Sequence, residues 1–431
     1  MSKREIVILG AGLAGLSAAW HLQKKGRSCS VFEKEVEVGG LCRSKVVNGY
    51  TFDYTGHLLH FRKQYTLDLV KRLLGDNLRL HNKSAWVYSH DRFTRFPFQA
   101  NLFGLPEAVV KECLLGLIRA RSNGQLNKKD PTFLEWIHHT FGEGIARHFM
   151  VPYNHKFWTV SPKNLNCEWF NNFIPVPSLG DTIQGTIAES RKSFGYNAVF
   201  WYPKRGGINL LPAKLAAGIK NIHLNHKVAN LDIKNKIVHF TGGGSKKYDQ
   251  LIYTLPLPEM NRLVNPLPSG ISTCLKRLRH NSIFNINLGI NKLGSSSKHW
   301  VYFPQKEFVF YRLGFPGSLS NSLMPKNTNS LYIEISYSKK KPLEKEGLMK
   351  PVLKNLTSLG LVTSKKDIVV RDTNDIKYGY IIYDRNRGPA LKRIVDFLGE
   401  KDIHCLGRYG SWRYLSMEDC LLEGRRISNA L

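Results

Sequence analysis

"REIVILGAGLAGLSAAWHLQKKGRSCSVFEKE", residues 4–35, decides the architecture. The apolar run at 6–9 is what a parallel strand covered on both faces requires. Gly10, Gly12 and Gly15 follow as GxGxxG. The first glycine permits a tight turn, the second lets a pyrophosphate reach the backbone, and the third lets helix and strand pack closely. The helix that opens there, with Ala14 in its first turn, offers unpaired N–H groups to a phosphate. A second strand ends at Glu33, followed by Lys34, 18 residues beyond Gly15, where an acid can hold a ribose hydroxyl. This stretch reads as the strand–turn–helix–strand unit that binds a dinucleotide.

The continuation "EVGGLCRS", residues 37–44, adds Gly39, Gly40 and Arg43. Glutamate followed by this Gly-Gly loop resembles the long-chain FAD families: amine oxidases, phytoene desaturases, protoporphyrinogen oxidases and sugar mutases. The resemblance implies FAD as cofactor. At the other end, "KDIHCLGRYGSWRYLSMEDCLLEGRRISNAL", residues 401–431, reads as a strand over 403–406, a Gly/Arg turn, and a helix from about residue 417. FAD proteins of this type close the cofactor site with such a segment. The expected fold is therefore α/β: a discontinuous Rossmann-like FAD-binding domain, an inserted helical domain and a mixed β-sheet substrate domain. The expected boundaries are 1–62, 204–260 and 400–431 for the FAD domain. Residues 63–170 are expected to be mainly helical, and 171–203 with 261–399 to be β-rich and substrate-facing.

Composition narrows the class. No run of about 18 uncharged apolar residues appears, which excludes a membrane-spanning helix. The polar lead into the first strand argues against a secretory signal. Seven cysteines without a CxxC pair suggest reduced thiols in a cytoplasmic protein. The formal charge of +30 implies anionic company or a basic proteome. No zinc finger, RNA-binding strand motif or basic heptad is present, so nucleic acid is not expected. A peripheral association with an anionic membrane, on the inner face, is the alternative, and the basic stretch 338–366 is its candidate segment. His138, His139 and His148 lack acidic or cysteine partners at ligand spacing, so no metal is expected.

Helical spacing marks 64–76, 105–122 and 131–149, whereas 220–256 and the stretches beyond 280 alternate as strands. Between them lies "PYNHKFWTVSPKNL", residues 152–165, an aromatic and basic cluster that looks like a ligand grip rather than a redox centre. An aromatic corner between helices is the plain alternative.

With "YTGHLLHFRK" (54–63), "FPFQANLFGLP" (96–106), "HWVYFPQKEFVFYRL" (299–313) and "GRYGSWRYLSMED" (407–419), this grip resembles the UDP-galactopyranose mutase family. The resemblance implies that Tyr153, Asn154, Lys156 and Trp158 hold uridine, with Asn101 near the nucleotide. It implies that His57 sits beside the flavin, with Gly56 letting a backbone carbonyl approach N5. Arg312 would meet the pyrophosphate and Tyr414 the substrate phosphates, while Gly407, Arg408 and Met417 would serve FAD. Tyr196 and Asn197 are retained, and Tyr380 and Tyr383 lie on a stretch that faces the site in related enzymes. The sequence has Pro177 where the mutases carry a pyrophosphate-binding arginine, and Arg205 and Arg413 are the candidate replacements.

The implied activity is the interconversion of pyranose and furanose forms of a UDP-sugar, for polysaccharide biosynthesis. N5 of reduced FAD would act as nucleophile at the anomeric carbon without net redox change. The alternative is an FAD-dependent oxidoreductase of the amine oxidase, protoporphyrinogen oxidase or desaturase type, which the missing arginine favours.

Overall fold

The computed structural model describes the chain except residues 1–3, 123, 125, 127, 171–172, 191, 193, 196–197 and 292–295. Tyr196 and Asn197 therefore lie outside the described residues. The opening strand is Ile6–Leu9, with every residue buried. It is the middle of a five-stranded parallel sheet, ordered 403–405, 250–253, 6–9, 30–32, 222–223. The helix Leu13–Lys24 covers this sheet and meets the final helix, Met417–Ala430. Gly424 permits that approach, because a Cβ there would lie 2.4 Å from Ser17 Oγ. The final helix is capped by Ser416 and Asp419. Its buried Glu418 accepts from the Arg62 and Lys63 backbone N–H groups (2.9 and 2.8 Å) and from Thr66 Oγ1 (2.6 Å). The strand Ile6–Leu9 and the helix Leu13–Lys24 thus form one layered unit with the strand 403–405 and the final helix.

The inserted helices are Gln64–Leu74, Glu107–Ser122, Phe133–Ile145 and Val151–Trp158. Glu107–Ser122 and Phe133–Ile145 pack backbone to backbone. A Cβ at Gly142, whose φ is +73°, would stand 2.1 Å from the Gly116 carbonyl oxygen. Residues 78–95, inside the stretch read as mainly helical, instead form three strands. Two of them, 85–89 and 92–95, extend the large sheet.

That large sheet has seven strands in the order 368–376, 282–290, 329–337, 312–314, 300–302, 85–89, 92–95. Its pairing register aligns two polar rows on one face. Tyr302, Arg312, Glu334, Asn285 and Asn374 make the first. Trp300, Gly314, Tyr332, Asn287 and Asp372 make the second. The intervening residues (Val301, Leu313, Ile333, Ile286) face the opposite way, into an apolar core closed by Val352 and Leu356. Those two residues come from the helix Met349–Ser358, the one helix the structure forms within 338–366 apart from a short 3-10 turn. Strand alternation thus gives one sheet a greasy back and a polar front.

Tyr332 is the thickest element of the front and fits because two neighbours lack side chains. A Cβ on Gly314 would come within 2.0 Å of its ring, and one on Gly56 within 2.4 Å of its hydroxyl. Overpacking of this kind costs about 1–3 kcal/mol. We expect Gly314→Ala to lower the unfolding free energy by about 3 kcal/mol in urea titration. In a Tyr332→Ala background the same change should cost under about 1 kcal/mol, because the clashing ring is gone.

Candidate active site

The cofactor cradle is built from two apposed glycine turns. Gly10 has φ +99°, and its absent Cβ leaves room for Thr254 Oγ1, 2.4 Å from where that carbon would be. Gly15 packs onto the Gly10 carbonyl, which a Cβ would meet at 2.1 Å. Gly39 donates to the Ala11 carbonyl (2.9 Å), and the Gly40 turn lies against Gly12. Gly12 caps the helix Leu13–Lys24 without a side-chain hydrogen bond, which leaves the first N–H groups for an anion. Glu33 is buried; one carboxylate oxygen accepts from Ala11 N (2.7 Å) and the other from Glu35 N (3.1 Å). Arg43 donates to the Gly40 carbonyl (2.9 Å) and lies over the Tyr54 ring. Lys34 is exposed beside Glu35. Gly407, at φ +75°, approaches Ala14 so closely that a Cβ would meet the alanine Cβ at 2.7 Å. Met417 begins the final helix and packs, partly buried, on the core of this unit. This donor set suits a dinucleotide diphosphate.

Next to the cradle stands the polar face of the large sheet. Arg312 donates through Nε and Nη2 to the two oxygens of Glu334 (3.0 and 2.6 Å). The Glu334 side chain is fully buried and that of Arg312 is 17% exposed. Tyr311 donates its hydroxyl to the same carboxylate, and Gly56 N donates to it at 3.4 Å. Burial disfavours the Arg312 charge, but Glu334 together with Tyr380, Tyr311 and Tyr332 outweighs it and holds the guanidinium pKa well above its usual value. Burial, with the charges of Arg408 and Arg312, pushes His57 down to about 4, so its imidazole is neutral at pH 7. Its buried Nδ1 has no hydrogen-bond partner among the described residues. Arg408 donates to the Leu415 carbonyl through Nε (2.8 Å) and Nη2 (2.5 Å) and lies over the Tyr414 ring. Because its partner is a neutral carbonyl, Arg408 keeps its full charge.

An aromatic cleft, open to solvent, adjoins this face. Tyr153, Phe157, Tyr302, Tyr414, Trp300 and Phe96 are among its lining residues. Of the expected grip, Tyr153, Asn154 and Trp158 line the cleft, but in unequal roles. Tyr153 stacks on Phe149 at 5.2 Å. Asn154 donates back to the Met150 carbonyl (2.8 Å) within its own helix. Trp158 is 0% exposed and wedged among Phe157, Trp169 and Tyr380, so it is core and not a platform for a base. Lys156 leaves the cleft altogether. Its Nζ donates to the carbonyls of Phe303 (2.9 Å), Phe308 (2.8 Å), Phe310 (3.3 Å) and Gln305. Burial, then the charge of Lys341, pulls its pKa down to about 7.

Four other expected residues also belong to the scaffold. Asn101 is buried at the end of a 3-10 turn and donates to the Pro97 carbonyl (3.1 Å). Arg205 sits exposed in a turn whose backbone is tied to Asn77. Arg413 is ion-paired with Glu423. Tyr383 accepts from Tyr414 N (2.7 Å) and carries Arg387 over its ring, so it orients Tyr414 from behind. Tyr380, by contrast, packs on Phe157 and Tyr414 at the inner end. Sequence reading missed Tyr332 and Glu334, whose signal was a charge and a phenol inside the apolar alternation "SLYIEISY". It also missed Lys83, which carried no motif, and Gln99, which lies within "FPFQANLFGLP" beside the residue singled out there; both line the cleft.

A two-glycine cradle closed by a returning C-terminal helix defines a flavoprotein of the Rossmann type. The profile of the flavin-containing amine oxidoreductases matches residues 13–431, and the chain belongs to that family, with FAD as cofactor. The solved structure of reduced UDP-galactopyranose mutase superposes with a TM-score of 0.94 at 27% identity, covering 100% of this chain and 94% of that one. Cyclohexylamine oxidase from Brevibacterium oxydans IH-35A superposes at 0.68 with 16% identity over 99% of this chain and 98% of its own, a likeness of fold. Putrescine oxidase of Kocuria rosea is 31% identical over 26% of this chain, and L-amino-acid oxidase of Crotalus adamanteus 25% identical over 53%. The chain spans 23% and 45% of the length of those two curated relatives.

Two substitutions separate scaffold from site. Lys156→Met should lower the thermal midpoint by several degrees, since four carbonyls lose their donor, while ligand affinity in the cleft stays within about twofold. Glu334→Ala strands a buried guanidinium and should cost about 3–5 kcal/mol in denaturant titration. The double change Arg312→Met, Glu334→Leu should recover more than half of that loss.

Proposed function

We propose that this chain is a flavin-dependent nucleotide-sugar mutase that interconverts pyranose and furanose forms of a UDP-sugar, with FAD working in its reduced state. The observation that carries this reading is the aromatic cleft. It is lined by stacked aromatic rings and includes Tyr302, which feels the charge of Arg312, and Tyr414, over whose ring Arg408 lies. The full-length likeness to reduced UDP-galactopyranose mutase supports it.

Bound, reduced FAD supplies nucleophilic chemistry at an anomeric carbon with no net oxidation. The chain's own residues have three tasks. A leaving diphosphate must be neutralised and kept within reach, and Arg408 serves this with undiminished charge. Arg312 adds directional N–H groups more than net charge, because Glu334 cancels it. Burial raises the pKa of Tyr153, Tyr302 and Tyr380, so their hydroxyls stay protonated and donate to phosphate oxygens. The base stacks on Tyr153 or Phe157, whose rings are part-exposed, rather than on Trp158. Such stacking contributes about 1–3 kcal/mol. Neutral His57 beside the flavin neither adds charge nor binds a proton across pH 5–8.

A second reading, an FAD-dependent amine oxidoreductase, is favoured by the family profile, by the curated relatives and by Pro177. One experiment divides the two. The protein is reduced without oxygen, given UDP-sugars with cyanoborohydride, and its flavin is extracted and weighed. A flavin heavier by one sugar is the expected result. Unmodified flavin, together with substrate-dependent oxygen consumption on an amine panel, establishes the oxidoreductase instead.

A further inference from the structure

On the side away from 92–95, the seven-stranded sheet ends in the strand Ile368–Ile376. It is nine residues long, and it pairs with Ser282–Ile290. Among the described residues, the backbone of 369–375 has no hydrogen bond on its other side. A free edge of this length is a template for another strand. Its side chains alternate: Val370, Asn374 and Ile376 are buried, whereas Val369, Arg371, Thr373 and Asp375 are exposed. Edges are usually blunted by lysines, a proline or a bulge. Residues 369–375 contain no lysine or proline, and the register shift against Ser282–Ile290 falls near the strand's start, opposite Gly289 and Ile290. The exposed charges are instead set symmetrically about Thr373, a cation two residues before it and an anion two residues after. Arg371 has no ion pair among the described residues. Asp375 accepts from Lys345 Nζ (2.5 Å) and from the Tyr337 hydroxyl, yet its side chain is 45% exposed and each oxygen has a lone pair to spare.

We propose that this edge is a dimer interface, at which two copies of the chain pair antiparallel about a two-fold axis through Thr373 and join their large sheets into one. In that register Thr373 meets its own counterpart, and Arg371 of each copy faces Asp375 of the other. Opposite charges set directly across a strand pair stabilise it, and the symmetry supplies two such pairs. The charges also select the register. A slip of two residues one way sets Arg371 against the exposed Lys377, and the other way against Thr373, so both pairs are lost. The contact is isologous and therefore closes at two copies. Strand pairing with few side chains beyond it belongs to the small, transient class of interface, with a dissociation constant on the order of 10 µM. The inference goes beyond the flavin chemistry and is independent of whether the chain is a mutase or an oxidoreductase.

The test is sedimentation velocity on the full FAD-loaded chain across about 1–200 µM, where a reversible monomer–dimer equilibrium that weakens with salt is expected. Arg371→Asp and Asp375→Lys each turn two attractive pairs into two repulsive ones and should weaken the dimer by about 30-fold. An equimolar mixture of the two variants restores opposite charges at both pairs, so it should dimerise as the unaltered protein does. A second measurement reads the register without touching charge. Thr373→Cys, oxidised with copper phenanthroline, should give a disulfide-linked dimer, because facing Cα atoms of an antiparallel pair lie about 4.5–5.5 Å apart. Val369→Cys, which faces Lys377, should give none. The unaltered protein, whose cysteines are buried or partly buried, is the control for both. Misfolding of one charge variant does not spoil the test, because the cysteine pair decides the register alone. Monomer at every concentration, a dimer that neither charge reversal weakens, a mixture no tighter than its components, or no linkage through Thr373→Cys overturns the interface.

Discussion

The buried pair of Arg312 and Glu334 is the constraint on which the rest of the site hangs. Each ion costs several kcal/mol to remove from water, and the pair persists because every oxygen of the carboxylate is met. Its donors come from three places: the neighbouring strand, the Tyr311 hydroxyl and the backbone of Gly56. That last bond draws the loop bearing His57 down onto the sheet. The pair also locks strand register. A slip of one residue would turn Arg312, Glu334, Asn285 and Asn374 into the apolar core and bring Leu313, Ile333 and Ile286 to the polar front. A polar face of this breadth inside a folded chain must meet something polar, and the loop bearing Gly56 and His57 packs against it.

What the sequence made legible was local. The glycine spacing, the acid after the second strand and the returning C-terminal helix are all short-range patterns with one geometric meaning, and they delivered fold and cofactor. The grip was half legible for a reason of geometry. It was read as a string, but it folds as a helix, and helical periodicity sorts its residues. Tyr153, Asn154, Phe157 and Trp158 fall on the cleft side, at spacings of one, four and five, whereas Lys156 points to the 303–310 loop. The arginines were harder still. Arg413 meets Glu423 ten residues on, and Arg312 meets a strand partner 22 residues away. No reading of residue type alone tells a spent guanidinium from an available one.

Closure of the cofactor unit depends on the end of the chain. The strand 403–405 is an edge of the parallel sheet, and the final helix packs on the helix that follows the first glycine turn. Glu418 then ties that final helix to the start of Gln64–Leu74 through two backbone N–H groups and a threonine hydroxyl. The cradle for the pyrophosphate is therefore completed by contacts spanning nearly the whole sequence. Long-range contacts of this kind cost loop entropy before they stabilise anything.

Lys156 and its ring of carbonyls have the make-up of an alkali-ion site in which the ion is covalently attached. Four oxygens from residues 303, 305, 308 and 310 converge on one positive centre, as they would on potassium, and their mutual repulsion is relieved by it. A tethered ammonium cannot be exchanged for a dissolved cation, but with its pKa held at about 7 it loses its charge as pH rises through neutrality, so this loop answers to pH and not to the salts around it. The aromatic cleft wall, Trp300 and Tyr302, continues directly from the loop held in this way.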